Sequence, residues 1–200
     1  MRTDSRVESL QKQEHARSRE RRYEALVRVV ARPLHRYLLR RTHLNQVDDV
    51  LAETMLVLWR RLDDIPGMPA ESAPVADQVL PWCYGVARGC LANTRRAERR
   101  RLRLVERLTH MASPSPPPAH ANDHEDLYAA MGLLGEVDRE VVLLWGWEEL
   151  SPRAIAEVTG LSPNAVSIRL HRAKKKLAAA LERKNGTPVG HKADEGRSNR

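Results

Sequence analysis

Apolar residues recur every three to four positions through most of this chain, and no stretch alternates convincingly between apolar and polar. That period predicts helices and no strands. "YEALVRVVARPLHRYLLRR" (23–41) reads as a helix in which Pro33 forces a kink or a restart. "DDVLAETMLVLWRRL" (48–62) reads as a second, with Asp48 or Asp49 as its N-cap and Leu51, Met55, Leu58 and Leu62 as its buried stripe. After a loop rich in proline and small residues (63–77), "LPWCYGVARGCLANTRRAERRRLRLVERL" (80–108) is a long helical stretch. Later come "HEDLYAAMGLL" (124–134), "EVDREVVLLWGWEEL" (136–150) and two shorter helices that start at Ser151 and Ser162.

Breaks in the pattern divide the chain. Residues 1–20 are polar and are expected to be a flexible terminus. Residues 111–122, "MASPSPPPAHAN", hold four prolines within five positions, a semi-rigid extended linker that cannot be helix or central strand. Residues 183–200 have almost nothing to bury and are expected to be a disordered tail. The expected fold class is therefore all-α: two small helical domains, 21–108 and 123–182, joined by a Pro-rich linker over 109–122.

Within the last block, Ser151-Pro152 and Ser162-Pro163 each set an N-cap directly before a proline at the first helical position. Gly160 lies between them, where the first helix has to end and turn. Short helix, glycine turn and second helix make a helix-turn-helix. On a wheel of about 100° per residue, Val166, Leu170, Ala173 and Leu177 share one stripe of the second helix. Asn164, Ile168, His171 and Lys175 lie opposite, with Arg169 and Arg172 at the edge of that face. A purely structural hairpin needs no such succession of cations.

Charge sharpens the choice of partner. Lys and Arg number 34 against 26 acidic residues, a formal net charge of +8 that favours a polyanion. An amide and a branched aliphatic at groove depth suit base edges, Asn164 reading adenine and Ile168 meeting a thymine methyl. Arg169, Arg172 and Lys174 to Lys176 suit phosphates, although a lysine triplet near a helix C-terminus is equally an ordinary solvated end. The long helix carries eight arginines between residues 88 and 107, with Trp82 and Tyr84 just upstream. Cations with aromatics suit melted strands, while each aromatic taken singly is more often core. On the 48–62 helix, Asp49, Glu53 and Arg60 lie opposite the buried stripe with Ala52 and Leu56 beside them, an acidic face unsuited to DNA.

No apolar run reaches the ~20 residues of a membrane span, and no signal-peptide core precedes the helices, so the expected compartment is the cytoplasm. Cys83 and Cys90 are too far apart on a helix for an unstrained disulfide and read as buried core thiols.

"VDDVLAETMLVLWRRLDDIP", "PWCYGVARGCLANTRRAERRR" and "SPRAIAEVTGLSPNAVSIRLHRAKKKL", in that order, resemble the extracytoplasmic-function (ECF) group of bacterial RNA polymerase sigma factors. The resemblance covers roughly 21–182. It implies a promoter-recognition subunit without catalysis or cofactor, monomeric when free, whose partners are core RNA polymerase and promoter DNA. Group members are commonly held inactive by an anti-sigma factor. By position, Asp49, Ala52, Glu53, Leu56 and Arg60 would dock on the polymerase clamp helices. Trp82, Tyr84, Arg88, Gly89, Asn93, Arg95, Arg96, Arg99 and Arg100 would melt and hold the minus-ten element. Ser162, Asn164, Ser167, Ile168, Arg169, His171, Arg172 and Lys175 would read the minus-thirty-five element. Ala52 stands where many members carry glutamine, and Gly89 where many carry asparagine.

Two other readings compete. A dimeric helix-turn-helix repressor or activator explains 123–182 equally well, but not an acidic face joined to an arginine-rich helix. An enzyme lacks support: the sequence shows no glycine-rich phosphate loop, no clustered metal ligands and no nucleophile–His–Asp set.

Overall fold

The computed structural model describes residues 2–69, 73–109 and 125–185. Among these are seven α-helices and no strand: α1 (Arg2–Leu39), α2 (Leu44–Arg60), α3 (Ala76–Thr109), α4 (Glu125–Gly132), α5 (Glu136–Gly146), α6 (Pro152–Thr159) and α7 (Pro163–Asn185). A single 3-10 turn, Leu62–Asp64, follows α2. The all-α expectation therefore holds among the described residues. The proline-rich linker expected over 109–122 and the disordered tail expected over 183–200 lie largely outside them.

Three local expectations are corrected. The stretch 1–20 is not a frayed end, since α1 is continuous from Arg2 to Leu39. Its lower part is tied to α2: the Arg19 guanidinium sits 5.0 Å from the Trp59 ring centroid and donates to the Trp59 carbonyl at 2.9 Å. Arg22 pairs with Asp63 at 2.8 Å. Nor does the helix restart at Pro33; Leu26, Val30, Leu34 and Tyr37 are all fully buried, so packing on both sides of the proline offsets its lost hydrogen bond. Finally, α2 starts at Leu44 with His43 at the N-cap and no side-chain cap bond, placing Asp48 and Asp49 inside the helix rather than before it.

The buried side of α2 is also rotated from expectation. Val47, Val50, Thr54 and Leu58 are buried, whereas Leu51 and Met55 are half-covered. The helix packs against both α1 and α3, so its apolar contact is wider than one stripe. Thr54 is tolerated at full burial because its hydroxyl donates to the Val50 carbonyl at 2.7 Å. Leu62 is buried as expected, but in the 3-10 turn.

The apolar cluster is continuous from Leu26 in α1 to Leu177 in α7. It crosses between the two sequence blocks where α6 lies along α3; within the first block Tyr37 of α1 stacks near Tyr84 of α3, ring centroids 5.1 Å apart. Cys83 and Cys90 are free and buried within it, and burial pushes the Cys83 thiol up to about 12.

Candidate nucleic-acid interface

The helix-turn-helix is built as the two Ser-Pro steps require. Ser151 Oγ accepts from the Ala154 amide and Ser162 Oγ from the Ala165 amide, both at 3.2 Å, with Pro152 and Pro163 opening α6 and α7. Gly160 ends α6 at φ 74°, ψ 13°, the left-handed conformation that an L side chain adopts only at a cost. Val166, Leu170, Ala173 and Leu177 are buried, which fixes the rotation of α7. Asn164, Ile168, His171, Arg172 and Lys175 are consequently exposed, Ile168 retaining 44% of its surface.

Two members of the expected set are held elsewhere. Arg169 turns towards α5, where it donates to Asp138 Oδ1 at 2.7 Å. It lies about 60° from the seam residue Val166 on the helical wheel, close enough for the neighbouring helix to capture it. Ser167 Oγ donates back to the Pro163 carbonyl at 3.0 Å, a local bond within α7. Trp145, an exposed aromatic that the sequence reading did not single out, carries Lys174 Nζ 3.3 Å from its ring centroid.

On α3 the candidate minus-ten residues separate into two stripes. Trp82, Gly89, Asn93, Arg96 and Arg100 align on one side at helical spacing. Trp82 is half-exposed with the Arg61 guanidinium 5.0 Å from its ring, Gly89 has open space where a Cβ would stand, and Arg96 donates to Asn93 Oδ1 at 2.6 Å. Tyr84, Arg88, Arg95 and Arg99 fall on a second stripe, about 130° round the helix. Tyr84 is buried in this arrangement, its ring centroid 5.1 Å from that of Tyr37 of α1. Burial moves its hydroxyl up to about 12. Arg95 donates to the Arg41 carbonyl and lies 3.5 Å from Glu136. Arg88 and Arg99 are exposed, Arg99 donating to the Arg95 carbonyl.

The acidic face of α2 is assembled as expected: Asp49, Ala52, Glu53, Leu56 and Arg60 lie on one side and all are exposed, Leu56 to 45%. Sequence reasoning missed a polar network between the blocks. Arg41, whose side chain is 4% exposed, donates to Glu140 Oε2 at 2.9 Å and to Glu148 Oε1 at 3.2 Å. Arg40 also pairs with Glu148, at 2.8 Å, and the Tyr37 hydroxyl donates to Glu140 at 3.1 Å. Burial first, then the Glu140 carboxylate, push the Tyr37 hydroxyl well above its ordinary range. The adjacent arginines at 40 and 41 were the available signal, but nothing local indicates partners about a hundred residues away.

The profile described as "Sigma-70, region 4" matches residues 124–177, the span of α4 to α7 up to Leu177. The RNA polymerase sigma factor CnrH of Cupriavidus metallidurans is 29% identical over 151 residues, covering 69% of this chain and 74% of its own. The ECF RNA polymerase sigma factor EcfG of Rhodopseudomonas palustris is 25% identical over 138 residues, with 68% and 72% covered. Residues 124–177 thus match a sigma-70 region 4 domain, and the chain over about two thirds of its length is similar to ECF RNA polymerase sigma factors. Its fold agrees with a solved structure of CnrH in complex with the cytosolic domain of CnrY, at TM-score 0.55 and 24% identity over 84% of this chain and 94% of that one. Among the described residues, no helix is long and apolar enough to cross a membrane.

Proposed function

We propose that this chain is a sigma factor that binds core RNA polymerase through the outward face of α2, reads minus-thirty-five duplex with the exposed face of α7, and holds melted minus-ten DNA along the Trp82–Arg100 stripe of α3. The carrying observation is the sorting of the exposed faces by chemistry. Asp49 and Glu53 stand together on α2, while α7 presents an amide, a branched aliphatic, an imidazole and cations from a doubly capped helix-turn-helix. An acidic face repels phosphates and suits a protein partner; the α7 face suits base edges flanked by backbone. Residues 21–108 and 123–182 act as the polymerase- and minus-ten-binding domain and the minus-thirty-five-binding domain. The chain supplies no catalysis, works in the cytoplasm, and is monomeric before it meets the enzyme. An anti-sigma factor is its candidate regulator, because relatives of its fold are solved with such partners, including RpoE of Bartonella quintana with NepR.

The test is co-elution with core polymerase at moderate salt, where non-specific charge attraction is screened. A stoichiometric complex is expected for the parent chain, and its loss for Asp49→Ala/Glu53→Ala, with duplex DNA binding unchanged. Undiminished polymerase binding by the double variant would remove α2 as the docking face. A dimer on palindromic DNA with no polymerase complex would restore the repressor reading.

A further inference from the structure

The arginines of α1 sort by the side of the helix they occupy. From residue 17 to its end the helix carries seven arginines, two glutamates and no lysine. Arg19 and Arg22 lie towards α2 and are both taken, the first by Trp59 and the second by Asp63. The other five, Arg17, Arg21, Arg28, Arg32 and Arg36, recur at helical spacing within about 100° of the wheel. All five are exposed, on the side opposite the buried line of Leu26, Val30, Leu34 and Tyr37. Among the described residues the one ion pair in this set joins Arg28 to Glu24 at 3.5 Å, with both side chains well exposed. Arg21 donates to the Arg17 carbonyl at 3.4 Å.

We propose that this outward stripe of α1 is a sequence-independent binding surface for the phosphate backbone of duplex DNA, separate from the faces of α3 and α7. It goes beyond the promoter-reading function, since none of the five arginines belongs to the surfaces that carry that function.

The composition of the stripe selects its partner. A guanidinium grips phosphate through two parallel N–H bonds, a geometry that a lysine lacks. Melted strands call for aromatic rings among the cations. Both tyrosines of α1 turn inwards instead, Tyr23 donating to the Met55 carbonyl at 2.9 Å and Tyr37 fully buried. A helix lying in a membrane interface sets an exposed apolar face beside its cations, whereas no apolar residue of α1 from Tyr23 to Leu39 is exposed. A duplex has neither requirement.

Length and charge agree with this choice. The stripe spans about 28 Å at 1.5 Å per residue. A duplex of that length carries about 16 phosphates, one per 1.7 Å of axis. A guanidinium every 6 to 10 Å or so along the helix therefore meets backbone charge whatever the bases are. Glu24 alone interrupts the row, and its long, exposed contact with Arg28 competes weakly. So uniform a row matches the even charge of a duplex better than the mixed charge of a protein face. Each contact releases counterions and adds affinity and register without sequence information.

Two variants of the full chain test the surface in opposite directions. Arg17→Gln/Arg21→Gln/Arg28→Gln/Arg32→Gln/Arg36→Gln removes the stripe with residues that keep helix propensity. Glu24→Gln removes the interrupting carboxylate. Anisotropy of a labelled mixed-sequence duplex over a salt series gives the slope of log affinity against log salt, about 0.9 per phosphate contact. That slope should fall by about 4 in the quintuple variant, with helicity unchanged, and five lysines in place of the arginines should restore most of it. In Glu24→Gln it should steepen by about 0.9 as Arg28 is released. A fall smaller than one contact in a folded quintuple variant would overturn the proposal. If that variant loses helicity, Glu24→Gln decides, and an unchanged slope there overturns it. An intact duplex slope with lost binding to polyglutamate would assign the stripe to an acidic protein and overturn it as well. Failure of the parent to bind core polymerase would count against the sigma reading and leave the slope comparison standing.

Discussion

Arg169 is the residue whose placement most changed the account of the recognition helix, and a double-mutant cycle with Asp138 tests it. The pair joins α7 to α5 through a 2.7 Å charge-assisted hydrogen bond, with side chains 42% and 21% exposed. Fully exposed pairs contribute about 0.2–1 kcal/mol, and partial burial sets this one near the top of that range, about 1 kcal/mol. Arg169→Ala and Asp138→Ala should each destabilise the C-terminal helices by about that much, and the double variant by scarcely more, since each single change removes the same bond. For a unit of this size, about 1 kcal/mol is read as a fall of about 4–8 °C in the melting transition. DNA binding supplies the second readout. Each phosphate contact adds about 0.9 to the slope of log affinity against log salt. With Arg169 held by Asp138, Arg169→Ala should leave the slope unchanged, whereas Asp138→Ala frees the guanidinium and should steepen it by about 0.9. The opposite pattern, a slope lowered by Arg169→Ala and untouched by Asp138→Ala, would place Arg169 on a phosphate and refute the assignment to α5.

Three further outcomes follow from the structure. Asn164→Ala and Ile168→Ala should each relax discrimination at one upstream base pair, the bidentate amide by about 1–3 kcal/mol, while leaving the melting temperature nearly unchanged because both side chains are exposed; competition binding with single-base-pair variants measures this. Gly160→Ala should destabilise by about 1 kcal/mol in urea unfolding, since the left-handed φ costs an L residue about 1–2 kcal/mol and the stiffer unfolded chain returns about half of that; no atom lies near the added methyl, so steric relief cannot contribute. Stability should also fall at high pH: burial raises Cys83 from 9.0 and Tyr84 from 10.0, each to about 12, so their protonated forms support the fold fully below pH 9 and that support is lost as pH rises towards 12. A flat stability profile from pH 8 to 11.5 would contradict the burial of both groups.

The readable parts of this protein were those whose physics is local. Ser151-Pro152, Gly160 and Ser162-Pro163 act within four residues of themselves, so caps, turn and the rotation of α7 could be inferred from residue type and spacing. The outward set Asp49, Ala52, Glu53, Leu56 and Arg60 was legible for the same reason, because opposite faces of one helix are separated by the wheel alone. The N-terminus of α2 was misjudged because two aspartates resemble a cap, whereas packing against α1 and α3 carries the helix back to Leu44. Pro33 and the polar start of α1 misled in the same direction: local propensity argued for a break, and burial of Leu26, Val30, Leu34 and Tyr37 with the Arg19–Trp59 contact overrode it.

What the sequence by itself determined is the set of helices in the all-α class, the capped helix-turn-helix, and which sides of α2 and α7 face outward. Each follows from periodicity and short-range hydrogen bonding. The tertiary structure alone decided which way the α3 arginines divide, that Tyr84 is buried against Tyr37, and that Arg41 meets Glu140 and Glu148. Those partners are 99 and 107 residues apart in the chain. No helical period relates positions at that separation; only the packing of α6 along α3 brings them within reach.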